Sequence, residues 1–135
     1  MSNTPRTMLV VDDDASLRGA LESTFETMGY RVLTAGSADA AYALLTAESA
    51  DAVLLDVRLP GMSGLALSLA IVHRWPELEG RIAFMTGDAD APDVRPWLER
   101  GHYTTIRKPF TFGQISDWLA DTAPVRERRA MEISG

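Results

Sequence analysis

Apolar and polar positions fall into blocks along this chain, and the period inside the blocks alternates between two kinds. Short apolar or β-branched runs, bounded by charged or turn-forming residues, occur at Met8–Val11, Tyr30–Ala35, Ala52–Leu55, Arg81–Met85 and Thr104–Arg107. Runs of this length suit strands, and the most apolar of them suit strands buried on both faces. Between them, apolar residues recur every three or four positions, the spacing of a helix with one face on a core. Asp14 is placed as the N-cap of a helix opening at Ala15, with Leu17, Leu21, Phe25 and Met28 as its inner stripe and Gly29 as its stop. Ser37 caps a second helix that carries Ala41, Leu44 and Leu45 inward. Ser63 or Gly64 opens a third, with Leu65, Leu69 and Val72, which ends near Trp75 because Pro76 disfavours helix in the residue before it. The fourth helix is short. Pro96 is tolerated only in a first turn, which predicts a regular part from about Val94 to Arg100, closed by Gly101. Thr111 starts the last helix, with Phe112, Ile115, Trp118 and Leu119. From Pro124 the period fails, and Arg126, Glu127, Arg128 and Arg129 read as a solvated, frayed tail.

Five strands alternating with five helices predict an α/β fold: a doubly wound, five-stranded parallel sheet covered on both faces. Right-handed crossovers leave few arrangements. The expected strand order is 2-1-3-4-5, the flavodoxin-like one, with its switch point between strands one and three. One domain over residues 1–123 and a tail or linker start over 124–135 account for the chain.

Composition narrows the function classes. The 135 residues are 46% apolar, enough for one packed core, and carry a net charge of −6, which argues against direct nucleic-acid binding. With no cysteine, thiol catalysis, disulfides and thiolate metal sites are excluded. The apolar run Met8–Val11 is too short for a signal peptide, and no run reaches membrane-spanning length, so a cytoplasmic protein without a membrane partner is expected.

Candidate chemistry gathers where the apolar runs end. Asp12, Asp13 and Asp14 follow the first strand, Asp56 ends the third, Thr86 ends the fourth and Lys108 ends the fifth. In the expected order, strands one and three are neighbours, so Asp12 and Asp13 converge on Asp56. Carboxylates that close resist ionising together unless a cation joins them. Oxygen-only ligands suit Mg²⁺, which takes one or two carboxylates and substrate oxygens. Thr86 adds a hydroxyl, and Lys108 a compact charge that can meet phosphate. That set suits phosphoryl transfer, with Asp56 attacking phosphorus to give an aspartyl phosphate. Each residue also has a plainer reading: a capping turn for Asp12–Asp14, a loop carboxylate, a strand-end hydroxyl, a surface lysine.

The stretches Val10–Asp14, Leu54–Gly64, Met85–Gly87 and Arg107–Phe110, in this order and spacing, resemble the receiver domain of two-component response regulators. The likeness runs roughly from Thr7 to Thr122 and resembles the chemotaxis regulators among them. It implies Asp56 as phospho-acceptor, Asp12 and Asp13 as the acid pair for Mg²⁺, and the backbone carbonyl of Arg58 as a third metal ligand. Thr86 becomes the switch hydroxyl and Lys108 the phosphate-contacting cation. The implied donor is a phosphohistidine on a sensor histidine kinase or histidine phosphotransfer protein. The implied output is a protein target met through helix four, strand five and helix five. Trp97 and Trp118 fall in those helices and read either as partial core or as partner contacts, whereas His73 and His102 read as exposed. Two outputs stay open: a stand-alone regulator or relay, and a receiver belonging to a longer protein.

A rival reading exists. Asp12-x-Asp14-x-Ser16 is similar to the Asp-x-Asp-x-Thr/Val signature of haloacid-dehalogenase-type phosphatases, with Asp12 as nucleophile and Asp14 as general acid. Ser16 departs from that signature, and no substrate-covering cap is evident.

Three finer expectations follow from the resemblance. A cis peptide at Lys108–Pro109 turns the ammonium toward Asp56. Receivers carry an aromatic switch residue three positions before the lysine, where this chain has Thr105, with Tyr103 two residues earlier; output then relies on the helix-four backbone, Pro96 and Trp97. Arg58 and Asp88 flank the water approach to the acceptor, with Arg58 lying over the phosphoryl oxygens or pairing with Asp88.

Overall fold

The computed structural model describes residues 5–101 and 103–125; His102 and the tail residues Arg126, Glu127, Arg128 and Arg129 lie outside them. The elements run β1 Thr7–Val11, α1 Ala15–Thr27, β2 Arg31–Ala35, α2 Ala38–Ala47, β3 Ala52–Asp56 and α3 Gly64–Arg74. A 3-10 turn at Pro76–Leu78 follows, then β4 Ile82–Thr86, α4 Arg95–Gly101, β5 Thr104–Arg107 and α5 Phe112–Thr122. The five strands are parallel, in the order β2-β1-β3-β4-β5, as expected.

Period-2 alternation divides each central strand between two cores. Leu9, Val11, Val53, Leu55 and Phe84 face α2, α3 and α4, packing on Ala41, Leu45, Leu67, Ile71 and Leu98. Met8, Val10, Leu54, Ala83 and Met85 face α1 and α5, packing on Leu21, Phe25, Ile115 and Leu119. β1, β3 and β4 are buried throughout, while the edge strands β2 and β5 are partly exposed. Phe25 is fully buried against Tyr30 and Phe112; truncating it to alanine costs about 3–5 kcal/mol.

The helix starts follow the capping residues. Asp14 accepts hydrogen bonds from the backbone N–H groups of Ser16 and Leu17, Ser37 from Ala40, and Ser63 from Ala66. Thr111 and Gln114 close a reciprocal capping box at the start of α5. Gly61, at φ +83°, makes the turn after Pro60 in the left-handed region that suits glycine.

Four sequence expectations shift. The buried face of α3 is Gly64, Leu67, Ser68 and Ile71, whereas Leu69 is 56% exposed and Leu65 and Val72 are only half-buried. Gly64 sets this phase: a Cβ there would lie 2.0 Å from the Asp56 carbonyl oxygen, so the helix starts directly against the β3 backbone. Gly64 and Ser68 share the core side with Leu67 and Ile71, and because α3 is apolar around most of its circumference, the stripe Leu65, Leu69 and Val72 comes out rotated. Met28 is exposed because α1 closes at Thr27 and the chain turns back through Gly29. Phe112 keeps its edge on Phe25 but is otherwise exposed. Finally, β2, β4 and α4 each begin one residue later than expected, and Gly101 is the last residue of α4 instead of the stop after it.

Candidate functional site at the carboxyl edge of the sheet

The same alternation aims the site. Asp12 continues the parity of Met8 and Val10, Asp56 that of Leu54, and Lys108 that of Ile106, so all three project on the α1/α5 side of the sheet edge. Pairing of Val11 with Leu55 sets Asp12 beside Asp56. Thr86 continues the parity of Ile82 and Phe84 and points to the α2–α4 side. The sequence-predicted residues Asp12, Asp13, Asp56, Arg58, Thr86 and Lys108 are thus brought to one edge from four adjacent strands.

Lys108 ties the edge together. Its Nζ donates to Asp12 Oδ2 at 2.8 Å and to Asp56 Oδ2 at 2.8 Å, across 96 and 52 residues of sequence. The Lys108–Pro109 peptide is cis, as expected. The other oxygens are held by backbone: Asp14 N–H donates to Asp12 Oδ1 and Arg58 N–H to Asp56 Oδ1, each at 2.9 Å. Asp12 is fully buried, Asp56 is 7% exposed, and Asp13 faces solvent. Thr86 is buried, and its hydroxyl accepts from the Asp88 N–H at 2.8 Å.

Burial pushes the Asp56 carboxyl above its ordinary value. The hydrogen bonds from Lys108 and the Arg58 N–H pull the other way without cancelling the rise, and the neighbouring Asp12 charge adds to it. Burial pulls the Lys108 ammonium down, but the hydrogen bonds and charges of Asp12 and Asp56 outweigh it and leave Lys108 above its ordinary value.

Among the described residues, Asp12, Asp13 and Asp56 each offer an oxygen within 4.8 Å of the others. An octahedral Mg²⁺ shell is about 4.2 Å across, so a small inward adjustment or a bridging water completes the fit. The donors are all hard oxygens, and Asp13 is exposed enough to admit the ion. The residues present fit a divalent cation.

A model of the response regulator receiver domain matches residues 8–120. The chain belongs to the response regulator receiver domain family. This receiver is 38% identical to the hydrogenase transcriptional regulatory protein HoxA of Cupriavidus necator, over 100% of its own length and 26% of that protein's. It is 37% identical to the C4-dicarboxylate transport transcriptional regulatory protein DctD of Rhizobium meliloti, over 98% of its length and 28% of that protein's. The chain therefore spans about a quarter of the length of these relatives. The crystal structure of a Vibrio cholerae chemotaxis protein superposes with a TM-score of 0.75 at 24% identity, covering 87% of this chain and 98% of that one, and shares the fold. Receiver domains are regulatory modules of two-component systems.

The phosphatase alternative is not supported. The family matched over residues 8–120 is that of receivers, and the Asp14 carboxylate, which the phosphatase reading needs as general acid, caps α1 instead of standing over a substrate. No helix among the described residues is long and apolar enough to cross a membrane.

Two features of the rim had weaker sequence signals. Arg58 donates through Nε to Asp88 at 3.0 Å, the pairing expected, but its two terminal nitrogens also grip Asp93 at 2.9 and 3.2 Å. Arg107 holds Asp90 in the same forked way, at 2.9 and 3.2 Å. The loop between β4 and α4 is thereby clamped from both sides. At position 105 the threonine borders a shallow hollow with Ala89 and Leu98. The nearby ring, Tyr103, is stacked on Trp97 at 4.6 Å and 7°, with both edge-on to Phe84.

Proposed function

We propose that residues 1–123 form a phosphorylation-controlled switch in which Asp56 takes the phosphoryl group of a phosphohistidine on a sensor histidine kinase or histidine phosphotransfer protein. A carboxylate oxygen of Asp56 forms the new P–O bond as the donor's P–N bond breaks, and the departing imidazole keeps the electron pair and takes up a proton. Lys108 is already 2.8 Å from Asp56, placed to follow the charge onto the phosphoryl oxygens. Asp12, Asp13, Asp56 and the Arg58 carbonyl would hold Mg²⁺, which when bound would supply charge neutralisation at the transferring group. Thr86 gives up the Asp88 N–H to meet the new phosphoryl oxygen. The chain catalyses its own phosphoryl transfer and slow hydrolysis and is otherwise a switch. A cytoplasmic setting, where such donors present their phosphohistidines, goes with this reading.

The observation that carries it is the bridging of Asp12 and Asp56 by one lysine at a sheet edge that Asp13 leaves open to solvent. Acetyl phosphate with Mg²⁺ should add one phosphoryl group, mapped to Asp56 by mass spectrometry, and chelation or Asp56→Asn should abolish the addition. Modification at Asp12 instead would overturn the assignment.

Output passes to a protein target through α4, β5 and α5. With threonine at position 105 and Tyr103 committed to the Trp97 stack, the α4 backbone around Pro96 and Trp97 carries the change. Hydrogen exchange should show α4 amides altered on acetyl phosphate treatment. A large inward rotation at Thr105 with α4 unchanged would contradict this.

A further inference from the structure

Arg18 sits one turn into α1, and its side chain reaches back over the helix start, as helical side chains tilt toward the N-terminus. Its Nη1 donates to the Asp12 backbone carbonyl at 2.8 Å. Room for the guanidinium exists because residue 36 is glycine: a Cβ there would lie 2.9 Å from Nη1 and 3.3 Å from Cζ. Gly36 directly follows Ala35, whose carbonyl accepts from the Asp12 N–H at 3.1 Å. Every polar group of Asp12 is therefore held: its nitrogen by β2, its carbonyl by Arg18, and its carboxylate by Asp14 N–H and Lys108.

The carbonyl that Arg18 holds belongs to the peptide unit joining Asp12 to Asp13. The plane of that unit sets the direction in which the Asp13 side chain leaves the backbone. Asp12 is locked by its own contacts, whereas Asp13 is exposed and depends on the backbone for its aim. We infer that Arg18, seated over Gly36, is a positioning residue that orients the Asp12–Asp13 peptide so that the Asp13 carboxylate meets a divalent cation. This rests on the Mg²⁺ reading above and extends it to two residues that are not ligands.

The sign of the effect separates positioning from charge. Arg18 brings a positive charge toward the acid cluster, so by electrostatics alone its removal would tighten Mg²⁺ binding. Positioning predicts the opposite, a loss of about tenfold, in the range seen when groups that orient metal ligands are removed. Isothermal titration calorimetry with Mg²⁺ on wild type, Arg18→Ala, Gly36→Ala and the double variant decides the matter. Gly36→Ala, whose Cβ would crowd Nη1 and Cζ, should weaken Mg²⁺ in the same direction but by less, because the end of a flexible side chain can shift. In the Arg18→Ala background it should change little, because the displaced group is gone. Urea melts without Mg²⁺ check that each variant folds, and Gly36→Ala remains informative if Arg18→Ala does not. Unchanged or tighter binding by folded Arg18→Ala or Gly36→Ala overturns the role of Arg18 and leaves the metal reading intact. Wild type that fails to bind Mg²⁺ overturns both.

Discussion

Two regions at the same sheet edge are built from carboxylate–cation pairs of nearly equal length, and they behave as different materials. In the pocket, Lys108 lies 2.8 Å from Asp12 and from Asp56, with both acids buried. On the rim, Arg58 lies 3.0 Å from Asp88 and 2.9 Å from Asp93, and Arg107 lies 2.9 Å from Asp90, all of them exposed. Distance does not rank these contacts; burial does. In the pocket, losing one partner strands a charge away from water. On the rim, water and salt replace whichever partner is lost. The pocket is therefore suited to hold a defined charge state for chemistry, and the rim to trade partners at little cost.

The sharpest break of that contrast is Lys108→Ala. It leaves Asp12 and Asp56 facing each other without a cation, and unfolding free energy should fall by about 2–3 kcal/mol in Mg²⁺-free buffer, less than for a fully dry pair because Lys108 is 28% exposed. Added Mg²⁺ should restore part of the loss by supplying the missing charge. Thermal melts with and without Mg²⁺ measure both effects; a variant as stable as wild type would mean that the pocket acids are not strained.

Asp13→Ala comes next. Its carboxylate is exposed, so stability should barely change, while Mg²⁺ affinity drops at least about tenfold, as expected on losing a ligand. Calorimetric titration reads the drop, and unchanged affinity removes Asp13 from the ligand set.

Asp56→Asn tests the pocket in the other direction. The folded state holds the Asp56 proton more tightly than the unfolded chain, whose carboxyls titrate near 3.8. Ionised Asp56 is thus a burden that is absent below that pH and grows as pH rises through the folded-state value. The asparagine variant in Mg²⁺-free buffer should melt higher than wild type at neutral pH. The advantage should shrink as pH is lowered toward 3.8. A pH-independent difference would show that packing, and not ionisation, is responsible.

Most of the pocket was legible in the sequence because each residue sits where an apolar run stops. Asp56 after Val53–Leu55 and Lys108 before Pro109 mark strand ends, and the period of two assigns their side of the sheet. The α3 stripe was not legible, because residues 65–72 are apolar on almost every side, so Leu65, Leu69 and Val72 fit the period as well as Leu67 and Ile71, and the small Gly64 and Ser68 do not break the tie. The clamp on Asp93 lies 35 residues from Arg58 and that on Asp90 lies 17 from Arg107; exposed charges paired over such spans leave no periodic trace. Arg18 escaped notice for a related reason. Its seat is defined by an atom that Gly36 lacks, and that has no pattern along the chain.

The smallest expected effect lies on the rim and concerns how long a phosphoryl group survives on Asp56. Hydrolysis needs a water in line with the Asp56–phosphorus bond. Arg58 and Asp88 stand two positions after the acceptor and after Thr86. The Asp88 carboxylate could orient such a water as an acceptor, but in this structure Oδ2 accepts from Arg58 Nε. The same guanidinium is anchored on Asp93, farther along the loop between β4 and α4. Removing the arginine opens the approach and releases Asp88 to orient water, so Arg58→Ala should speed decay. All three groups are exposed and screened, which limits the change to several-fold at most. Asp88→Ala alone should have little effect or slow decay. Combined with Arg58→Ala it should erase most of the acceleration, since the residue that profits from losing Arg58 is gone. Asp93→Ala leaves Nε on Asp88 and should accelerate less than Arg58→Ala. Following loss of the phosphoryl group from acetyl phosphate-labelled protein, after the donor is removed, gives the wild-type rate and the four variant rates. If Arg58→Ala decays no faster than wild type, the arginine guards nothing, and the rim serves only to hold the loop.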